Sequence, residues 1–190
     1  MYTDKQLVER ILSGNESAFT VLVKKYERLV WFLTYRMIGD EEKVKDICQE
    51  IFLKVFTSLN KFRFDAKLST WIATIAYRTT LNEIKKKDNQ WLEYKEENIT
   101  IDNRVATDDP HKLLVIDDNK QIVHNFIDKL PGQYKTVLTL YHLNEFDYNE
   151  IQNITGLPAG TVKSYLFRGR KMLKESLEKA FKMEGMNIVS

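Results

Sequence analysis

From Asn15 to Leu59 the apolar residues fall at steps of three and four, and a single glycine, Gly39, separates two long runs. Phe19, Leu22, Tyr26, Leu29, Leu33 and Met37 make the first stripe; Val44, Ile47, Cys48, Ile51, Phe52, Val55 and Leu59 make the second. This spacing puts each set on one face of a helix and lacks the strict alternation of a half-buried strand. A one-sided helix draws its stability from burying that face against other helices. The chain is therefore committed to helix-on-helix packing. Its seven glycines and three prolines in 190 residues are also too few for the many tight turns of an all-β fold. The expected class is all-α.

Start and stop signals divide the chain further. Thr3-x-x-Gln6 is a capping box for a first helix that ends near Gly14. Asn15 can cap the second helix and Gly39 ends it. A fourth helix is expected from about Ser69 through Trp71, Ile72 and Ile75 to about Lys87. Residues 88–109 are polar, acidic and without period, which reads as a flexible linker. Asp109-Pro110 then begins a helix whose apolar side is Leu113, Leu114, Ile116, Ile122 and Phe126, since Asp caps well and Pro fits the first turn. Leu130-Pro131 opens the next, through Tyr134, Val137, Leu138 and Leu140. The expected organisation is two small helical domains, residues 1–87 and 110–190, joined by an acidic linker.

Several function classes are disfavoured. Cys48 is the single cysteine, so no intramolecular disulfide can form, and its place in an apolar stripe suits a buried structural thiol. No apolar run approaches the roughly 18 residues of a membrane span. Met1-Tyr2-Thr3-Asp4 lacks the charged and apolar parts of a secretion signal. A cytoplasmic location is expected. His111, His124 and His142 show no metal-ligand spacing with one another or with Cys48, and no glycine-rich phosphate loop or nucleophile motif is present. No metal, cofactor, small-molecule substrate or catalytic residue is expected, and the chain is not read as an enzyme.

Charge is segregated although the net value is only +2. Residues 61–87 carry seven Lys/Arg against two Asp/Glu, residues 88–128 four against ten, and residues 158–182 seven against two. Two basic blocks flanking an acidic one suggest two faces for a polyanion. The second block has a recognisable frame. Asp147-x-x-Glu150 is a capping box for a short helix through Ile151 and Ile154, Thr155-Gly156-Leu157 makes a turn, and Pro158 begins a long helix. That is the helix-turn-helix layout, whose second helix enters the DNA major groove by its N-terminal part. Val162, Leu166, Leu173 and Leu177 line the core side of that helix. Thr161, Lys163, Ser164, Phe167, Arg168 and Lys171 face outward, offering cations for phosphates, hydroxyls for base edges or phosphates, and an aromatic ring for thymine methyls.

The stretch GTVKSYLFRGRKML, residues 160–173, with FDYNEI, residues 146–151, resembles the promoter-reading unit of the extracytoplasmic-function subgroup of bacterial sigma factors. DICQEIFLKVF, residues 46–56, is similar to the polymerase-binding helix of that family, and LSTWIATIAYRTTLNEIKK, residues 68–86, to the helix that meets the downstream promoter element. The matches come in family order and cover nearly the whole chain. The resemblance implies a first domain on the clamp helices of the polymerase largest subunit and the −10 element. It implies a second domain on the −35 element and the polymerase flap, with an anti-sigma factor as a possible further partner. It places Lys163, Ser164, Phe167 and Arg168 on the −35 duplex. Tyr165, among them, stands where many relatives carry arginine and is counted with the set. The loop from Phe62 to Lys67 would capture a base of the melted −10 strand, supported by Arg78 and Asn82. Gln49, Glu50 and Lys54, with Asp46 beside them, would face polymerase.

Residue chemistry agrees with that assignment. Capture of a single strand needs cations and flat side chains, and Lys61, Phe62, Arg63, Phe64, Lys67, Tyr77 and Arg78 supply them around Asp65. Phe62 is expected to turn inward as an anchor while the rest of the loop stays available to DNA. The acidic linker could occupy a positively charged polymerase channel. A stand-alone helix-turn-helix regulator is the competing expectation. Such regulators usually bind as dimers, and no heptad stretch is present to make one.

Overall fold

A computed structural model describes residues 2–87 and 118–183; every regular element among them is a helix or helical turn. The first four helices are α1 (Asp4–Leu12), α2 (Glu16–Ile38), α3 (Glu41–Ser58) and α4 (Leu68–Lys87). The starts of α1 and α2 follow the expected chemistry, and Asp40 adds a cap to α3. The Thr3 hydroxyl accepts from the Gln6 N–H at 3.3 Å while the Gln6 carboxamide accepts from the Thr3 N–H at 3.0 Å. Asn15 Oδ1 accepts from the Ala18 N–H at 3.1 Å, and Asp40 Oδ1 from the Lys43 N–H at 3.2 Å. Each such cap stabilises its helix by about 0.5–2 kcal/mol relative to alanine.

The two sequence stripes meet face to face. Leu22, Tyr26 and Leu33 of α2 and Val44, Ile47, Ile51 and Val55 of α3 are buried, as is Leu59 just beyond. Phe19, Leu29, Met37, Cys48 and Phe52 pack partly against this core. Helix α4 lies against both α2 and α3. Ile72, Ala73 and Ala76 are fully buried in it. Burial pushes the Cys48 thiol up to about 11, partly offset by a hydrogen bond with Thr34, so it is a poor nucleophile near neutral pH.

The second group comprises α5 (Asp118–Asp128), α6 (Gly132–Leu138), α7 (Tyr148–Thr155) and α8 (Ala159–Met183). Helix α6 widens into a π turn over Thr139–Leu143 before the chain bends to α7. Tyr134, Val137, Leu138 and Leu140 are buried as expected, with Ile151, Ile154, Val162 and Leu166 opposite. Gly169 marks the close approach of α8 to α6: a β-carbon there would stand 2.9 Å from Leu138 Cδ1 and 3.3 Å from Tyr134 Cβ. One expectation is corrected. Ile122 is 36% exposed, and Ile127 takes the buried place on α5. The expected linker over 88–109 and the helix start at Asp109-Pro110 lie outside the described residues.

The two groups touch. Helix α4 packs on α7 and α2 on α6, and the buried apolar residues of both form one continuous cluster. Polar ties cross the seam. The Thr70 hydroxyl donates to Glu150 Oε1 at 2.8 Å, and Lys67 Nζ stands 3.2 Å from the same oxygen. Arg36 Nη1 donates to Asp128 Oδ1 at 2.5 Å and more weakly to the His124 carbonyl at 3.4 Å.

The loop between α3 and α4 closes the first group. Phe62 is buried at 8% exposure, its ring centroid 5.2 Å from that of Trp71 and 4.6 Å from that of Phe64. Phe64 is 46% exposed and adopts φ +61°, a left-handed conformation unusual for a bulky residue. Truncation should separate the two rings. Phe62→Ala is expected to lower stability by about 3–5 kcal/mol. Phe64→Gly relieves a backbone cost of about 1–2 kcal/mol as it gives up a half-exposed ring, so its net change should stay within about 1 kcal/mol. Urea unfolding checks both, and equal losses would contradict the division into anchor and exposed ring.

Candidate nucleic-acid interface

The helix-turn-helix is fixed by short-range chemistry. Asp147 Oδ1 accepts from the Glu150 N–H at 2.9 Å, and Glu150 Oε2 accepts from the Asp147 N–H at 3.0 Å. This reciprocal box starts α7. Gly156 ends it at φ +75°, its N–H bonded to the Gln152 carbonyl at 2.8 Å, in the left-handed region that a side chain would strain. The Thr155 hydroxyl donates to the Ile151 carbonyl at 2.7 Å and accepts from the Leu157 N–H at 3.3 Å. The Pro158 carbonyl accepts from the Val162 N–H at 3.0 Å, launching α8. With Ile151, Ile154, Val162 and Leu166 buried, the start of α8 has one fixed rotation.

That rotation sets what α8 presents. Phe167 is 71% exposed, and Lys163, Arg168 and Lys171 are exposed beside it, with Thr161 and Ser164 half-buried. Tyr165 is half-buried too, its ring edge-on to Tyr134 at 5.3 Å between centroids. The 3.6-residue period turns it from the outward face. Arg170, absent from the expected set, is exposed on α8. Its Nε donates to His142 Nε2 at 3.1 Å, and its guanidinium lies over the Tyr141 ring at 5.0 Å. Burial and the Arg170 cation hold the His142 imidazole below its usual range, so near neutral pH it is an uncharged acceptor. The basic run Arg168-Gly169-Arg170 was the signal for this residue in the sequence.

At the other basic block, Lys61, Arg63, Phe64 and Asp65 are exposed around the loop, and Arg78 and Asn82 are exposed one turn apart on α4. Phe62 sits in the core as the anchor, leaving Phe64 as the loop's open ring. Lys67 is exposed but held by Glu150. Tyr77 is half-buried, and burial raises its phenol, with Tyr165 adding to the rise.

On α3, Asp46 and Gln49 are exposed and Glu50 is half-buried. Lys54 pairs with Glu50 at 2.6 Å and donates to the Thr79 hydroxyl at 3.3 Å, bracing α3 against α4. The sequence reading missed the apolar part of this face. Leu53 is 63% and Phe56 48% exposed, and with Gln49 they run along one ridge at i, i+4 and i+7. Two large apolar residues outside the core stripe were the available signal. Among the described residues, no His/Cys/Asp/Glu group could hold a metal ion, and no helix is long and apolar enough to cross a membrane.

Residues 22–90 match the family described as Sigma-70 region 2, and residues 120–173 match Sigma-70 region 4. The ECF RNA polymerase sigma factor SigW of Bacillus subtilis is 31% identical over 91% of this chain and 96% of its own. The ECF RNA polymerase sigma-E factor of Escherichia coli K12 is 31% identical over 93% and 95%. The fold is shared with RpoE of Bartonella quintana, solved in complex with the anti-sigma factor NepR, at a TM-score of 0.67 and 18% identity over 84% of this chain and 96% of that one. With both region matches falling on the two basic faces, in order, and full-length relatives at this identity, the chain belongs to the extracytoplasmic-function subgroup of bacterial RNA polymerase sigma factors.

Proposed function

We propose that the two basic faces are separate promoter readers on one chain. The domain of residues 1–87 would take the polymerase clamp helices and the −10 element. The domain of residues 110–190 would take the −35 element and the flap, with residues 88–109 spanning between them. As a member of this family the protein directs promoter-specific transcription initiation by core RNA polymerase. The observation that carries the division of labour is the contrast between the faces. Helix α8 presents a rigid helix end bearing Lys163, Ser164, Phe167, Arg168 and Lys171, suited to a duplex groove. The 61–67 loop presents an open ring and cations, suited to an unstacked base. Phe64 would stack on the base, Lys61, Arg63 and Lys67 would hold phosphates, and Arg78 and Asn82 would support the strand from α4. The ridge of Gln49, Leu53 and Phe56, flanked by Asp46, Glu50 and Lys54, supplies the apolar contact that polymerase would cover.

The chain itself catalyses nothing in this reading and works in the cytoplasm, where polymerase and promoter are. An anti-sigma factor is a further partner class; RpoE of Bartonella quintana is solved in complex with one.

Two substitution experiments follow. Arg168→Ala should weaken promoter binding by the holoenzyme by about 1–3 kcal/mol if it reads a base. Loss of Lys163 should weaken all sequences alike and reduce the salt slope by roughly one unit if it meets phosphate. Titrations at several salt concentrations check both, and wild-type activity of the double variant on a −35-dependent promoter would contradict the docking. Replacing residues 62–67 with a relative's loop should change the preferred −10 base and leave the −35 preference intact. Transcription from a library randomised at both elements checks this. An unchanged −10 preference in a stable, polymerase-binding chimera would assign the loop to packing alone.

A further inference from the structure

Arg170 is held on two sides at the edge of the α8 face. Its Nε donates to His142 Nε2 at 3.1 Å, and its guanidinium lies over the Tyr141 ring at 5.0 Å. Tyr141 is itself fixed. The Tyr148 ring of α7 stacks on it at 5.3 Å, and the His142 ring stands edge-on to it at 4.9 Å. Tyr141 and His142 both belong to the π turn at Thr139–Leu143. Such widened turns recur at functional sites, and here one sets two successive side chains beside the same guanidinium.

Lys163, Phe167 and Arg170 are exposed at i, i+4 and i+7, one stripe of α8. Arg170 lies about 10 Å along the helix axis from Lys163, and the DNA major groove is about 12 Å wide. With the start of α8 among base edges, Arg170 therefore stands at the rim of the groove, where the phosphates run. Its Nε–H is spent on His142. The two terminal amino groups remain, and a planar guanidinium grips a phosphate through such a fork. A long side chain already held in place loses less freedom when it binds.

The hold depends on one proton. An arginine side chain only donates, so Nε2 must offer its lone pair, and the ring proton of the neutral imidazole sits on Nδ1. Protonation of Nε2 would remove the acceptor and set two cations side by side. Of the charged groups on α2, α6, α7 and α8 among the described residues, the elements around the turn, Arg170 is the one that bears on the imidazole. Tyr141 beside it and Tyr148 behind that ring are the titratable groups nearby. Burial and the Arg170 cation keep His142 neutral to lower pH than usual. The hold is thus intact near neutral pH and lost in the acidic range below it.

We propose that Arg170 is a further phosphate contact of the −35 reader and that neutral His142, with Tyr141, is the positioning group that aims it, so that −35 recognition weakens when His142 takes up a proton. The DNA contact rests on the reading of α8 given above; the proton-dependent hold does not.

The test uses the full chain with core polymerase and a −35-dependent promoter duplex recovered from the randomised library. His142→Gln keeps an uncharged acceptor and removes the titration, so it should bind as the wild type does near neutral pH. Between about pH 7.5 and about pH 5.5, the range in which histidine switches, the wild type should lose affinity relative to His142→Gln. The expected loss is about two- to tenfold, the effect of freezing one long side chain on binding. Arg170→Ala should weaken binding at both ends of that range and reduce the salt slope by roughly one unit. A mere brace between the turn and α8 would change thermal unfolding and leave the pH profile of binding where it was. In the free chain, NMR titration of the His142 imidazole is the independent arm, and Arg170→Ala should raise its pKa. An unchanged pKa would overturn the hold. Identical pH profiles for the wild type and His142→Gln, or wild-type affinity of Arg170→Ala, would overturn the positioning role. A holoenzyme indifferent to the −35 sequence would instead remove the reading of α8, and the NMR titration alone would then decide the hold.

Discussion

The structure turns on α4. Its buried face, with Ile72, Ala73 and Ala76 at zero exposure, holds α2 and α3 together. Its first turn receives the loop anchored by Phe62, its outer face carries Arg78 and Asn82, and its flank meets α7. One helix therefore serves the core and, on the proposed reading, the −10 strand as well. The small alanines make this possible, because close packing on one side leaves the long polar side chains of the other free. A larger residue at either alanine would disturb the core, since interiors at crystal-like density leave no room for one.

Much of this was legible beforehand. The stripes of α2 and α3, the caps at Thr3, Asn15 and Asp147, and the turn at Gly156 are local rules. Each depends on residues within four positions, and each appears where the sequence put it. The all-helical class and the family followed from them and from the ordered motifs. What escaped depends on contacts distant in the chain. The helical period turns Tyr165 from the outward face, but the ring it meets there, that of Tyr134 about thirty positions away, has no local signature. Ile122 fits a stripe by period, but Ile127 is the residue that packing chooses. Leu53 and Phe56 stand outside the core stripe, a hint in the sequence, but how far they stay exposed is set by helix packing. The seam between the two halves, with Arg36 buried under α5, has no local signature at all.

Charge ties these levels together. The basic blocks seen in the sequence fall on two exposed surfaces, each anchored by apolar residues of its own helix or loop. Cations alone would give sequence-independent affinity that falls steeply with salt. On the proposed reading, Phe64, at 46% exposure and packed on Phe62, and Phe167, at 71% exposure, would add what charge cannot: a stacking surface for an unpaired base and an apolar contact in a groove. Neither face is large, which fits a protein that reads promoters as part of a larger enzyme.

Reconstituted transcription with purified core polymerase is the most direct test of that account. With this chain added, initiation should begin at defined promoters bearing both elements, while the free chain alone should bind the same DNA weakly. Equal promoter-specific initiation by core polymerase without the chain would contradict it.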